Sequence, residues 1–232
     1  MCVAAVAWNA HPRWRLVVAA NRDEFHERPT APLSRWPDGT IAGRDLRAGG
    51  TWLGVNPAGR FALVTNHRVE GYPRPDRLSR GGLITGWLGG EGLGNIAAMN
   101  PFNLICADSK ALRFASNWPV EDRALPAGVH GISNGPFSRP WPKARHLCAS
   151  LAEWLAAAGG DLEPLFGALG DEAGREVVDS HRTDPEPRLS GIFIRDPVYG
   201  TRCSTVIAVD AEGNGRIIER RFDDAAQPCG ET

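Results

Sequence analysis

Apolar and polar residues fall in short blocks along this chain, and most of the blocks are strand-sized. Val3-Ala4-Ala5-Val6-Ala7-Trp8 is an unbroken apolar run with the length of a buried strand. Asn9-Ala10-His11-Pro12 punctuates it as a turn, and a second run follows, Leu16-Val17-Val18-Ala19-Ala20. Together they predict a hairpin whose second strand ends in four polar or charged residues, Asn21-Arg22-Asp23-Glu24. Such a hairpin puts Arg22 and Asp23 in the same sheet as Cys2.

Phe25 to Gly39 is rich in proline and polar residues and reads as a long surface loop, with a short strand at Ile41–Asp45. Gly49-Gly50 turns the chain into Thr51-Trp52-Leu53-Gly54-Val55, a strand by its β-branched and aromatic content. The turn Asn56-Pro57-Ala58-Gly59 leads to a partner strand, Phe61–Thr65, which delivers Asn66 and His67 just past its end. Phe102–Ala107 and Leu112–Ala115 pair across Asp108-Ser109-Lys110, and Val129–Ser133 is a further strand ending in Asn134. Gly191–Arg195, Arg202–Val209 and Arg216–Phe222 complete the set, with a frayed tail after Asp223. Arg175–Leu189, charged and proline-rich, reads as a mobile excursion.

Helical periodicity is confined to the middle of the chain. Ser79 reads as the N-cap of a helix reaching Leu88, and Ile96–Met99 as one helical turn. Ala144, Leu147, Cys148, Leu151, Trp154 and Leu155 mark one face of an amphipathic helix that Gly159-Gly160 stops. Asp161 caps a shorter helix through Leu169. Gly89–Gly94 is glycine-rich, but Asn95 holds the last position of a dinucleotide fingerprint and no strand precedes it. Strand pairs on tight turns with helices between them argue for antiparallel sheets covered by helices, an α+β fold.

Composition narrows the function. With 232 residues and no internal repeat, one domain over 1–232 is expected. A net charge of −1 gives no electrostatic footprint for nucleic acid or an anionic membrane. No apolar run approaches the roughly 20 residues that span a bilayer, and the N-terminus lacks the layout of a secretion signal. Five cysteines without CxxC spacing argue against a disulfide framework or a zinc cluster, and the six histidines show no HxxxH or HExxH spacing. A reducing cytoplasm is the expected location.

Cys2 is the candidate for chemistry. Aminopeptidases remove an initiator Met that precedes a small residue, and Cys2 then carries a thiol and a free α-amine together. Their reference pKa values, about 8.5 and about 7.7–8.0, let the amine act as the base that activates the thiol. An arginine nearby favours the thiolate. The plain alternative is a small buried strand residue with no chemistry.

Cys2, Asn21–Phe25 with Arg28-Pro29, Ala42–Asp45, Gly49–Gly54 and Thr65-Asn66-His67-Arg68 occur together in one known family. Ser79-Arg80-Gly81, Phe102-Asn103-Leu104, Ile132-Ser133-Asn134, Pro140-Trp141-Pro142-Lys143 and Tyr199-Gly200-Thr201-Arg202 extend the match in order across the chain. The sequence resembles the NRDE-motif family, also called the transport and Golgi organisation type 2 family. The resemblance implies the four-layer αββα sandwich of the N-terminal-nucleophile (Ntn) hydrolases and a distant kinship with their cysteine amidases.

That kinship implies a set of catalytic residues in chain order: Cys2, Arg22, Asp23, Asn66, Asn134 and Arg202. Cys2 attacks an amide carbonyl, Asn66 or Asn134 holds the oxyanion, and Arg22 and Arg202 favour the thiolate or bind a substrate carboxylate. Arg22 and Asp23 are adjacent, so on a regular strand they face opposite ways and one is expected to miss the site unless the strand bends. Cys203 is expected to face away from Arg202 for the same reason. No cofactor is needed for this reaction, on a small-molecule C–N amide bond. The alternative is a non-enzymatic carrier of haem or an acyl ligand, with His67 or Cys2 as an axial ligand and tryptophans such as Trp52 and Trp141 walling a flat ligand.

Overall fold

A computed structural model describes residues 2–157, 159–172 and 189–232. Along the chain the first strands are β1 (Cys2–His11), β2 (Trp14–Phe25), β3 (Thr30–Arg35), β4 (Ile41–Asp45), β5 (Leu53–Val55) and β6 (Phe61–Asn66). Helix α1 (Gly81–Gly89) and a 3₁₀ turn at Ile96–Ala98 lead into β7 (Phe102–Ala107), β8 (Leu112–Asn117), β9 (Val120–Leu125) and β10 (Gly128–Ile132). Helices α2 (Pro142–Ala156) and α3 (Glu163–Leu169) precede β11 (Tyr199–Asp210), β12 (Gly215–Phe222) and β13 (Pro228–Glu231).

The strands form two compact units. The first is made of residues 1–27 and 127–232, so both ends of the chain contribute to it. Its antiparallel sheet runs β10-β1-β2-β11-β12-β13. Val3, Ala5 and Ala7 alternate onto one face with Val17, Ala19, Val206 and Ala208, and α2 and α3 cover that face. Ala144, Leu147, Leu151, Trp154 and Leu155 of α2 are the helical stripe read from the sequence, and they lie in this core. Asp161 accepts the Glu163 N–H at 3.1 Å, as expected of a cap at the start of α3.

The second unit, residues 28–126, holds a seven-stranded sheet ordered β3-β4-β5-β6-β7-β8-β9. Leu83, Ile84 and Leu88 of α1 pack on Ala62, Val64, Leu104 and Cys106. The helix starts at Gly81 with Arg80 in the N-cap position, the Ser79 hydroxyl accepting the Gly81 N–H at 3.4 Å, and ends at Gly90, whose φ of 92° suits glycine.

Three expectations need correction, and one strand was not anticipated. Phe25–Gly39 is not all loop: Thr30–Arg35 forms β3, which accepts Pro32 because it is an edge strand. Val120–Leu125 forms the opposite edge, β9, whose charged side chains hide the strand pattern. Gly191–Arg195 is not a strand, although Ile192, Phe193 and Ile194 are buried. The tail is not frayed, because β13 pairs with β12 and Thr232 exchanges both backbone hydrogen bonds with Glu219. Of the expected excursion at 175–189, residues 175–188 lie outside the described residues.

Candidate active site

The hairpin β1–β2 fixes what stands beside Cys2. Its register pairs Cys2 with Arg22 and Val3 with Asn21, so Cys2 and Arg22 share one face of the sheet. Arg22 is 4 % exposed, with Glu24 at 3.7 Å. Asp23 alternates to the other face, as expected of adjacent strand residues, and its carboxylate points towards α2. There Lys143 Nζ stands 3.9 Å from Asp23 Oδ2, and the Thr201 hydroxyl donates to Asp23 Oδ1 at 2.8 Å.

Asp23 still reaches the nucleophile through its backbone, because its N–H points at the Cys2 sulfur. The Tyr199 hydroxyl donates to the Asp23 carbonyl at 2.7 Å, which fixes that peptide from β11. One face-on neighbour, Arg22, and one backbone neighbour, Asp23, therefore act on the same thiol.

Asn134 completes the set from the turn after β10. Its Oδ1 accepts the Cys2 N–H at 3.0 Å. β10 pairs with β1 up to Ala4↔Ile132, so the next residues pass the start of β1. Trp141, at the N-terminus of α2, is buried, and its indole lies against Gly135. A Cβ at Gly135 would stand 2.3 Å from Trp141 Nε1, so the indole seats the turn that carries Asn134. Trp141 is thus packed against the protein itself.

Arg202 owes its place to a β-bulge. Thr201 pairs with Asp23 and Cys203 with Arg22, leaving Arg202 as the extra residue on β11. Its Nη1 donates to the carbonyls of Phe25 and His26, each at 3.0 Å. The bulge also brings Cys203 into line with Arg22 and Cys2, on the face of the nucleophile. No sequence pattern announces a bulge, which is why the alternation rule placed Cys203 otherwise.

Burial dominates the electrostatics. It pushes the Cys2 thiol above its ordinary range, and the Asp23 carboxylate adds to this, against the Asp23 N–H and the Arg22 charge. Burial likewise pushes Asp23 up and Lys143 down, while their mutual attraction works against both shifts. A thiol pushed up by burial calls for a base close by.

Asn66, His67 and Trp52 belong to the second unit. Asn66 is exposed at the end of β6, paired in register with Phe102. His67 is buried, which pulls its ring towards the neutral form, and the ring hydrogen-bonds to the Trp118 backbone. Trp52 is half-buried, with its ring over Gly43. The first unit thus brings together Cys2, Arg22, Asp23 and Asn134, with Arg202 next to Arg22.

Sequence reasoning passed over Thr201 and Lys143 as site residues. Lys143 had a signal: of 26 basic residues in the chain, only it and Lys110 are lysine. Among the described residues, no group of three His, Cys, Asp or Glu side chains is placed to hold a metal ion.

The profile of the family described as Transport and Golgi organisation 2 matches residues 1–224. The Transport and Golgi organization protein 2 homolog of Bos taurus is 31% identical, over 95% of this chain and 92% of the relative. The Homo sapiens homolog is 29% identical, over 97% and 94%. Among solved structures, the Caenorhabditis elegans N-acylethanolamine-hydrolyzing acid amidase ortholog superposes with a TM-score of 0.51 at 13% identity. That match covers 89% of this chain and 92% of the other. It shows the expected fold, the α+β sandwich of the Ntn hydrolases.

Proposed function

We propose, from the premise that the chain belongs to the Transport and Golgi organisation 2 family and has the Ntn-hydrolase fold, that it is an N-terminal-cysteine amidase. Its substrate class is a small molecule with an acyl C–N bond, and removal of Met1 produces the active form. One observation carries the reading. The Cys2 nitrogen is already held by Asn134 Oδ1 at 3.0 Å, on the same residue as the thiol that burial pushes up. That nitrogen becomes the α-amine. The structural neighbour, an amidase by its printed name, lends the fold-level analogy.

The steps follow from this arrangement. Donation of one amine hydrogen to Asn134 leaves the amine lone pair to take the thiol proton. The thiolate, favoured by Arg22 and by the Asp23 N–H, attacks the acyl carbon. The tetrahedral oxyanion is held by amide donors, each worth about 2.7–4 kcal/mol of barrier, with the Asn134 side chain as one candidate. The α-ammonium then gives its proton to the leaving nitrogen, the C–N bond breaks, and an acyl thioester remains. Water attacks that thioester while the amine takes its proton, and the carboxylic acid leaves with the thiol restored.

All five cysteines are free, which fits a reducing compartment such as the cytoplasm. Among the described residues no helix is long and apolar enough to cross a membrane.

The test is intact mass and N-terminal sequencing of the purified protein, followed by a panel of acyl amides with and without Cys2→Ala. Loss of Met1 and hydrolysis that disappears in Cys2→Ala support the amidase. Retention of Met1 in protein from a host with active aminopeptidase removes the base and sinks it. A bound haem or acyl ligand without turnover would favour a carrier.

A further inference from the structure

We infer that Lys143 is a positioning residue for the Cys2 nucleophile: it forms a buried charge pair with Asp23, the residue whose backbone N–H faces the thiol. The inference extends the amidase reading and rests on it for the word nucleophile.

Lys143 is 1 % exposed and sits in the first turn of α2, just after Pro142. A cation there is doubly disfavoured, by burial and by the positive end of the helix dipole. Among the described residues its Nζ makes no hydrogen bond, and its ion-pair partner is Asp23 Oδ2 at 3.9 Å. Packing alone does not call for such a residue, because an apolar side chain of similar size fills the same space without the cost of burying charge.

The chain's choice of base points the same way. It uses arginine almost throughout, and Lys110, the other lysine, is exposed on the β7–β8 turn. Arginine keeps its charge in any protein setting, whereas a buried lysine can gain or lose a proton near neutrality. The titratable groups acting on Lys143 are Asp23 on β2 and Cys2 on β1. On β10, Gly131 is the residue that meets Ala144 and Cys148 of α2, so His130 alternates to the opposite face. On α2 itself, His146 pairs at the surface with Asp171 at 3.1 Å. Thr201 holds the other oxygen of Asp23, so the carboxylate is clamped between a hydroxyl and an ammonium.

A substitution at Lys143 takes away the ion-pair partner of buried Asp23 and risks unfolding, so the test leaves Lys143 in place. Protein labelled with ¹³C-lysine shows two lysine signals, assigned with Lys110→Arg, and the Lys143 Cε shift is followed against pH. Coupled sites influence each other reciprocally, so the thiolate that forms as pH rises strengthens the hold of Lys143 on its proton, and Cys2→Ala removes that support. The expected result is a Lys143 midpoint below that of Lys110, falling by about half a pH unit or more in Cys2→Ala. Lys110 serves as the unmoved reference. A Lys143 midpoint that is the same in both proteins, or that coincides with Lys110, overturns the inference. Retention of Met1 by intact mass would instead sink the amidase reading, and the lysine titration would still report the coupling to the thiol.

Discussion

Thr201→Val tests whether the Asp23 carboxylate is held by design of the sheet. Thr201 is 1 % exposed; its hydroxyl donates to Asp23 Oδ1 at 2.8 Å and accepts the Ile194 N–H at 2.9 Å. Valine keeps the shape and deletes both bonds. A hydrogen bond to a charged group contributes about 1.5–3 kcal/mol, and a stranded buried N–H costs about 1–3 kcal/mol. The expected loss at neutral pH is therefore about 2.5–6 kcal/mol. With a urea slope in the upper part of the usual range of about 1–3 kcal/mol/M, the midpoint drops by about 1 M or more. The pH dependence is the sharper reading. Burial already raises Asp23 above its unfolded value, with Lys143 and Thr201 working against the rise. The native state therefore binds this proton more tightly, and ionised Asp23 costs stability as pH climbs from the ordinary carboxylate value through the folded one. Removing Thr201 extends that window upwards. The loss should shrink towards acid, where Asp23 is protonated in both states, leaving the Ile194 share of about 1–3 kcal/mol. A loss below about 1 kcal/mol, or one independent of pH, would refute the claim that this hydroxyl supports the carboxylate.

Gly135→Ala should push the Trp141 indole off the Asn134 turn and cost about 1–3 kcal/mol, seen as a lower melting temperature in scanning fluorimetry. An unchanged melting curve would mean the indole does not seat that turn. Asn134→Ala should lower kcat on an amide substrate by about 10²–10³-fold while KM changes little, because it loses an oxyanion donor and the anchor of the Cys2 nitrogen. Equal activity in steady-state assays removes Asn134 from the mechanism. Iodoacetamide at neutral pH should label exposed Cys229 first in the native protein. Cys106 and Cys148, pushed up by burial to about 12 and about 11, and buried Cys203 should react only on unfolding, as peptide mapping would show.

Periodicity was legible wherever local sequence matched burial. The hairpin that carries Cys2 opposite Arg22 is one case, and the α2 stripe from Ala144 to Leu155 is another. Three of the four edge strands were not legible, because their side chains meet solvent; the fourth, β10, was read as Val129–Ser133. That is how β3, β9 and β13 escaped.

The sequence by itself determined the family, the α+β class and the order of the chemically capable residues, because these depend on local pattern and on motifs read in a line. Only the tertiary structure decided which of those residues meet. Asn134 reaches the Cys2 nitrogen across 132 residues, and Thr201 reaches Asp23 across 178. The one-residue bulge at Arg202 resets which side of β11 faces the thiol. Lys143 was legible only as the last residue of a family-matching block, and α2 places it, 1 % exposed, against Asp23. The physical reason is that a side chain's charge state follows the groups packed around it and its removal from water, and both are properties of the folded chain.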